Sequence, residues 1–214
     1  MSEEHEKIGI FGGTFNPIHF GHLIVAESVR ESFGLDRVLF APSGIPPHKS
    51  YDEVTGAEHR YAMVECAVRS NPYFEASRVE IDRTGFTYTV DTLNSLRTLY
   101  DNAAELYFLI GADVINELIT WRNYREVFDL CSFIAVKRPG CDVRSAESGI
   151  EQLKERYNAS ISMIEAPLVD ISSTSIREFV REHRSIKYLV PECVEEYIVK
   201  NGLYKGEGTH LHME

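Results

Sequence analysis

The sequence predicts a doubly wound, Rossmann-like α/β fold, in which a parallel sheet carries helices on both faces within a single domain. Short apolar runs of strand length alternate with stretches of helical periodicity along the whole chain, and this alternation is typical of parallel strands joined by helical crossovers. No internal repeat or low-complexity linker divides the chain. Its 214 residues, 43% of them hydrophobic, suffice for one sizeable core and fall short of what two independent domains usually need.

The first half of the chain contains three predicted strands and two predicted helices. Val25, Val29 and Phe33 recur every fourth residue, which indicates a helix that ends near Gly34. Apolar runs before and after this helix have the length and composition of buried strands. In order, we expect a strand at 8–11, a helix at 21–34, a strand at 37–41, a helix at 57–68 and a strand at 73–81.

The second half of the chain continues the alternation. Leu93 and Leu96 lie on one face of a predicted helix, and Pro191 and Gly202 delimit the last one, as is usual at helix ends. In order, we expect a helix at 89–100, strands at 105–110 and 132–136, a helix around 150–157, a strand at 161–164, a helix that begins at 172–174 and a helix at 191–201.

Composition excludes several classes of partner. The formal net charge of -11 would repel a nucleic-acid backbone or an anionic membrane, so we expect neither as the main partner. No apolar run approaches the length of a membrane span, and residues 1–7 are acidic, which together predict a cytoplasmic protein. The four cysteines form no C-x-x-C pair, so we expect reduced thiols and no metal site built from protein ligands alone.

The stretch from residue 8 to residue 23 is predicted to form a strand, then a glycine turn, then a helix that starts at two histidines. Gly12 and Gly13 would let a ligand approach the main chain closely. His19 and His22 are three residues apart, so on a first helical turn they share a face with unpaired amides and the positive end of the helix dipole. We expect an anion-binding phosphate cradle here; the alternative is a tight turn followed by two ordinary histidines.

Three further segments carry side chains that could bind a ligand. Residues 43–56 form a predicted loop after the second strand, and Lys49 lies in it; the alternative is an ordinary proline-rich surface loop. Asp113 follows Gly111 at a predicted strand end, where carboxylates commonly hold ribose hydroxyls, although a helix cap is the simpler explanation. Trp121 is the only tryptophan, and a lone tryptophan is more often a core residue.

Hydroxyl side chains gather at the start of the helix predicted near residue 172. Ser173 and Thr174 offer hydroxyls and amides there, and Arg177 follows within the first turn or so. A guanidinium group in this position can bind phosphate oxygens through two parallel hydrogen bonds. This set would suit the outer phosphates of a triphosphate; the alternative is a well-capped helix with no ligand.

The segment G-G-T-F-N-P-I-H-F-G-H resembles the signature of the nucleotidyltransferase superfamily with the H-x-G-H motif. Within it, the chain is most similar to bacterial nicotinate-mononucleotide adenylyltransferases, whose second motif, I-S-S-T-x-I-R, corresponds here to residues 171–177. The resemblance covers residues 7–204. Asn16 stands where many members have Asp, and Arg122 follows the tryptophan where an aromatic residue or His is frequent.

The resemblance implies transfer of the adenylyl group of ATP to nicotinate mononucleotide, which gives deamido-NAD and pyrophosphate in NAD biosynthesis. It implies catalytic roles for His19, His22 and Arg177, and ATP binding by Gly12, Gly13, Thr14, Phe15, Ser173, Thr174 and Arg138. It implies mononucleotide binding by Lys49, Tyr88, Thr89, Gly111, Asp113, Trp121 and Arg122, with the nicotinate ring stacked on the tryptophan. Mg²⁺ would be bound through the ATP phosphates. Residues 1–204 would form the nucleotidyltransferase domain, and residues 205–214 a mobile tail.

Two alternatives remain at this point. One is another H-x-G-H adenylyltransferase or cytidylyltransferase, with phosphopantetheine or nicotinamide mononucleotide as the acceptor. The other is a noncatalytic nucleotide-sensing module that keeps the cradle and lacks turnover. The sequence leaves the oligomeric state open, including whether the chain forms a homo-oligomer.

Overall fold

The computed structural model describes residues 5–45, 54–101, 103–137, 142–167 and 169–205. The strands are β1 (Lys7–Gly13), β2 (Arg37–Pro42), β3 (Phe74–Ala76), β4 (Glu105–Gly111), β5 (Ser132–Lys137) and β6 (Ile161–Glu165). The helices are α1 (Phe20–Phe33), α2 (Ala57–Val68), α3 (Thr89–Leu99), α4 (Tyr124–Leu130), α5 (Val143–Tyr157), α6 (Ser173–Arg181) and α7 (Glu192–Lys200), with a 3₁₀ helix at Ala112–Thr120.

Within the described part of the chain, six strands form one sheet in the order β3-β2-β1-β4-β5-β6. All neighbouring strands are parallel, which confirms the predicted doubly wound architecture. The strand order reverses direction between β1 and β4, so the loops that leave these two strands diverge to opposite sides. A crevice therefore opens at their carboxyl ends, beyond Gly13 and Gly111.

Helices cover both faces of the sheet, and each face has its own apolar core. In β5, Phe133 and Ala135 belong to one core and Ile134 and Val136 to the other, as the alternation of side chains along a strand requires. The first core contains side chains from α3, α4, α5 and the 3₁₀ helix. The second contains side chains from α1, α2, α6 and α7. Because both faces are buried, the strands read as continuous apolar runs.

Most element boundaries agree with the sequence prediction, with two exceptions. The third strand covers only Phe74–Ala76, because the chain turns away after Ser77 and Arg78 bonds to Asp82 four residues later. The sequence analysis also missed the 3₁₀ helix and α4 between β4 and β5. None of the helices in the described ranges is long and apolar enough to cross a membrane.

Candidate active site

The two sequence motifs meet at the carboxyl edge of the sheet. The Ser173 hydroxyl donates a 2.8 Å hydrogen bond to the carbonyl of Pro17, and Arg177 Nη1 donates one of 2.8 Å to the carbonyl of Asn16. A cavity of about 400 Å³ lies at this junction. Its lining consists of Phe11, His19, Gly21, His22, Val25, Leu109, Ile110, Val136 and residues 169–173. The histidine pair and the start of the late motif thus share one cavity. Six other residues predicted to bind ATP or act in catalysis are described but do not line it: Gly12, Gly13, Thr14, Phe15, Thr174 and Arg177.

The glycine pair of the first motif has a packing role that differs from the expected turn. Gly12 and Gly13 are the last residues of β1, and the left-handed backbone angle falls on Phe15, with φ of 47°. A Cβ on Gly12 would lie 3.0 Å from the ring of Phe108, and one on Gly13 would lie 3.2 Å from the ring of Phe15. The glycines therefore allow two aromatic rings to pack against the strand end, and the turn comes later.

Asn16 fixes the loop that follows β1. It is buried, and its Oδ1 accepts hydrogen bonds from the Tyr204 hydroxyl at 3.0 Å and from the Thr55 amide at 3.4 Å. Its carbonyl accepts the bond from Arg177. One side chain thus connects the loop to the C-terminal turn and to the start of α2. An Asp at this position could accept the same bonds, so the departure from the common family residue keeps this role.

The two histidines stack at the start of α1. Their ring centroids are 3.7 Å apart. His19 precedes the helix and is buried, and His22 is partly buried against Phe15, with 5.1 Å between ring centroids. The His19 amide donates a 3.2 Å hydrogen bond to His22 Nδ1. Because Nδ1 accepts this bond, the proton of a neutral His22 ring lies on Nε2, which makes Nε2 a donor suited to a phosphate oxygen.

The second helix start at the cavity is that of α6. Ser172 caps it, since its Oγ accepts a 3.0 Å bond from the Ser175 amide. Arg177 Nη2 lies 3.3 Å from the hydroxyl of Thr174, which is exposed. Both α1 and α6 begin at the cavity wall, so the positive ends of two helix dipoles act on the same space. This arrangement favours an anion with several phosphate groups.

The described side chains expected to bind a mononucleotide come from the start of α3 and from the segment that begins at the end of β4, and none of them lines the cavity. The rings of Phe108 and Phe133 hold half-buried Trp121 edge-on, with centroid separations of 6.0 and 6.2 Å. The Arg122 guanidinium lies 4.7 Å above the ring of Tyr88, directly before Thr89 at the start of α3. Gly111 ends β4, and Asp113 is exposed in the 3₁₀ helix. The structure thus brings Tyr88 and Thr89 near Arg122, and Phe108 links Trp121 to Gly12.

Two of the predicted site residues, Lys49 and Arg138, lie outside the described residues. Sequence reasoning also missed residues that the structure places at or beside the site. Asp170 lines the cavity, and Arg60 of α2 is only 1% exposed beside the loops. A signal for Arg60 was present, because it is three residues after Ala57 and four before Val64, on the apolar stripe of its helix.

Within the described ranges, no group of three or more His, Cys, Asp or Glu side chains is placed to hold a metal ion.

The sequence of this chain is similar to one family of known proteins along most of its length. Residues 10–179 match the family model described as cytidylyltransferase-like. The chain is 50% identical over 199 residues to a probable nicotinate-nucleotide adenylyltransferase of Moorella thermoacetica, with 93% of this chain and 92% of that protein covered. It is 46% identical over 203 residues to a protein of the same description from Thermoanaerobacter sp. (strain X514), with 95% and 96% covered.

A solved structure extends the comparison to the fold. The chain is similar to the Plasmodium falciparum nicotinic acid mononucleotide adenylyltransferase complexed with NaAD, with a TM-score of 0.76 at 23% identity, and 94% of this chain and 98% of that chain are covered. At this identity the likeness speaks for the fold alone, while the bacterial relatives are similar along nearly the full length of the sequence. The chain therefore belongs to the nicotinate-nucleotide adenylyltransferase family, within the cytidylyltransferase-like group.

Proposed function

We propose that the protein transfers the adenylyl group of ATP to nicotinate mononucleotide and releases pyrophosphate, with deamido-NAD as the second product. The observation that carries this proposal is the shared cavity, where the histidine pair at the start of α1 lies with Ser172 and Ser173 at the start of α6. Two helix starts and stacked imidazoles at one cavity suit a bound triphosphate. The family membership of the chain supports the same reaction.

The reaction needs no protein base in this proposal. The nucleophile is a phosphate oxygen of nicotinate mononucleotide, which is already ionised at neutral pH, and it attacks the α-phosphorus of ATP as the bond to pyrophosphate breaks. The protein has to hold two anions in line and to stabilise the charge on the transferred and departing phosphates. His19 and His22, with the amides of residues 12–15, hold the phosphates. Ser173, Thr174 and Arg177 stabilise the departing pyrophosphate.

Recognition of the acceptor is assigned to the aromatic side of the site. In this proposal the nicotinate ring stacks on the exposed part of Trp121, and Tyr88, Thr89, Gly111, Asp113 and Arg122 complete the mononucleotide pocket. Main-chain amides near Thr89 and Arg122 would pair with the nicotinate carboxylate. The same donors would face the donating amide group of nicotinamide unfavourably. We therefore expect the acid to be preferred over the amide.

The proposal includes Mg²⁺ bound through the phosphates of ATP. Asp170 lines the cavity, and a carboxylate oxygen is a donor that Mg²⁺ prefers. The residues present therefore fit an ion that enters with the nucleotide. When bound, the ion would neutralise part of the phosphate charge.

A direct assay tests the reaction and its acceptor. The purified protein is mixed with ATP and Mg²⁺, and nicotinate mononucleotide, nicotinamide mononucleotide and phosphopantetheine are offered separately while pyrophosphate release is measured. Release with nicotinate mononucleotide alone, or far faster than with the others, supports the proposal. Faster release with phosphopantetheine would instead support another adenylyltransferase, and no release with any acceptor would favour the nucleotide-sensing module.

A further inference from the structure

Arg60 connects the loops that bound the two halves of the site. Its guanidinium is almost fully buried and donates to four main-chain carbonyls. Nη1 bonds to Thr14 at 2.8 Å, and Nε bonds to Thr55 at 2.8 Å. Nη2 bonds to both Ser43 and Gly44, at 2.5 and 3.0 Å. One planar guanidinium group thus bonds to three separate chain segments.

These segments belong to different parts of the proposed site. Thr14 is in the loop after β1, whose amides are assigned to the phosphates of ATP. Ser43 and Gly44 follow β2 and pack against the segment that leads into α3, where the Thr87 amide donates a 3.1 Å bond to the carbonyl of Ile45. Tyr88 and Thr89, assigned to the mononucleotide, come directly after Thr87. Arg60 therefore links the wall of the ATP side to the wall of the acceptor side.

We propose that Arg60 is a positioning residue for adenylyl transfer, which fixes the loop after β1 and the loop after β2 relative to each other. This inference rests on the proposed function. A guanidinium group suits the task because its donors form a rigid planar fork, whereas a lysine ammonium is a point charge on a flexible stem that cannot reach all four carbonyls at once. In-line transfer depends on the relative placement of two bound substrates, and a displacement of about 1 Å can cost about 10²-fold in rate.

The chain contains a matched control for this arrangement. Arg97 of α3 also bonds to main-chain carbonyls, with Nε and Nη2 on Leu130 at 3.1 and 2.6 Å and Nη1 on Ala104 at 3.1 Å. These carbonyls precede β4 and β5, so they lie at the amino edge of the sheet, opposite the site. Replacing Arg97 removes the same kind of bond without touching the loops of the site.

The test compares Arg60→Lys, Arg97→Lys and the unmodified protein for melting temperature and for kcat and KM with ATP and nicotinate mononucleotide. We expect both variants to melt at lower temperature. Arg60→Lys should lower kcat by about 10²-fold with smaller changes in both KM values, since each loop keeps its own substrate contacts. Arg97→Lys should leave kcat unchanged. Equal kcat values for the two variants would show that Arg60 serves stability alone.

A second variant covers the case in which Arg60→Lys does not fold. Arg60→Gln keeps an amide donor pair without the buried charge, and it should fold with a kcat below that of Arg97→Lys. If neither Arg60 variant folds, Arg60 is a stability residue and the inference is wrong. Absence of turnover in the unmodified protein would refute the proposed function and, with it, this inference, whereas normal turnover in Arg60→Lys would refute the inference alone.

Discussion

At the scale of single residues, one hydrogen bond from a main-chain amide fixes the tautomer of the neutral His22 ring. The His19 amide bonds to Nδ1 of His22, and this bond leaves Nε2 as the protonated nitrogen of the neutral ring. The stacked neighbour, with ring centroids 3.7 Å apart, limits how far the imidazole can turn. The H-x-G-H spacing therefore does more than place two histidines on one face. In the proposed reaction this spacing would orient a donor before a phosphate binds, and such preorganisation stabilises charge in a transition state.

This orientation gives a prediction for His22→Ala. Loss of the preorganised donor should lower turnover by about 10²-fold or more. Loss of the bond from the His19 amide should cost about 1 kcal/mol and lower the melting temperature by only about 2–4 °C. His59→Gln is the control, since His59 bonds to the Tyr197 hydroxyl at 3.1 Å between α2 and α7 and should not affect turnover. Steady-state pyrophosphate release measures both, and near-normal turnover in His22→Ala would remove this histidine from the catalytic set.

Glu80 is a buried carboxyl group with a consequence for stability. It is 7% exposed, and its Oε1 accepts a 2.8 Å bond from the Thr92 hydroxyl. Burial raises the pKa of Glu80 above its usual range, against the opposing effect of the hydroxyls of Thr92 and Thr87 and the charges of Arg83 and Arg60. A carboxyl group with a raised pKa in the folded state stabilises the fold most at low pH. That contribution is lost as the pH rises through the folded-state pKa.

We therefore expect Glu80→Gln to gain stability relative to the unmodified protein as the pH rises. The glutamine can still accept the bond from Thr92, and it removes the cost of ionising a buried group at neutral pH. The measurement is the difference in melting temperature between the two proteins from pH 4 to pH 7 or so. Glu117→Gln, on the exposed side of the 3₁₀ helix, should show no such trend. A difference that is constant or shrinks with pH would contradict the argument.

At the scale of elements, sequence periodicity predicted the crossover helices and most strands. Val25, Val29 and Phe33 marked α1 because a helix on a sheet buries one stripe of side chains. The same reasoning failed between Gly111 and Ser132, since the 3₁₀ helix repeats every three residues and α4 spans only two turns. It also failed after Ala76, where the chain leaves the sheet although Val79 and Ile81 continue the alternating pattern of a strand.

The end of β1 shows why the glycines of a motif can be predicted and their reason missed. The sequence indicated a glycine turn, but Gly12 is a strand residue with the Phe108 ring of β4 against it. No pattern in a single sequence states that two residues separated by 96 positions will be neighbours. The contact arises only because β1 and β4 pair in the centre of the sheet, which places the ring over the bare backbone.

That contact predicts the effect of Gly12→Ala. A Cβ would lie 3.0 Å from Phe108 Cζ, so we expect a small displacement of this ring, which packs against Trp121, at a cost of about 1–3 kcal/mol in the free energy of unfolding. The KM for nicotinate mononucleotide should rise as the tryptophan moves. A double variant, Gly12→Ala with Phe108→Leu, makes room for the methyl group and should cost less than the sum of the two single variants. Chemical denaturation measures this coupling, and strict additivity would refute the steric explanation.

At the scale of the whole molecule, the features that the sequence predicted are those that depend on a single segment of the chain. The alternation of strands and helices gave the doubly wound sheet, and both motifs fell at its carboxyl edge, where ligands of such sheets bind. Features that depend on several segments at once were missed. Arg60 draws its four carbonyls from three loops, and Asn16 joins the first motif to Tyr204, 188 residues later. Only the folded chain brings such partners together.

The contact between Tyr204 and Asn16 predicts where the chain can be shortened. Leu203 and Tyr204 are partly buried against the second core, and burial raises the pKa of Tyr204 to about 12, so its hydroxyl stays protonated and keeps donating to Asn16 at neutral pH. Removal of residues 206–214 takes away the predicted tail and should leave the melting temperature and turnover unchanged. Removal of residues 203–214 also takes away this contact and should lower the melting temperature by about 5–10 °C.

The second truncation should also lower turnover, because Asn16 lies in the loop that leads to the histidine pair and the carbonyl of Asn16 accepts a hydrogen bond from Arg177. Tyr204→Phe in the full chain separates the two effects of that truncation, since it keeps the packing and removes only the 3.0 Å hydrogen bond to Asn16, at a cost of about 1 kcal/mol in the free energy of unfolding. Thermal melts and pyrophosphate release on the three variants test the boundary. Equal losses of melting temperature and turnover in both truncations would place the end of the domain after residue 205 and refute the prediction that it ends at Tyr204.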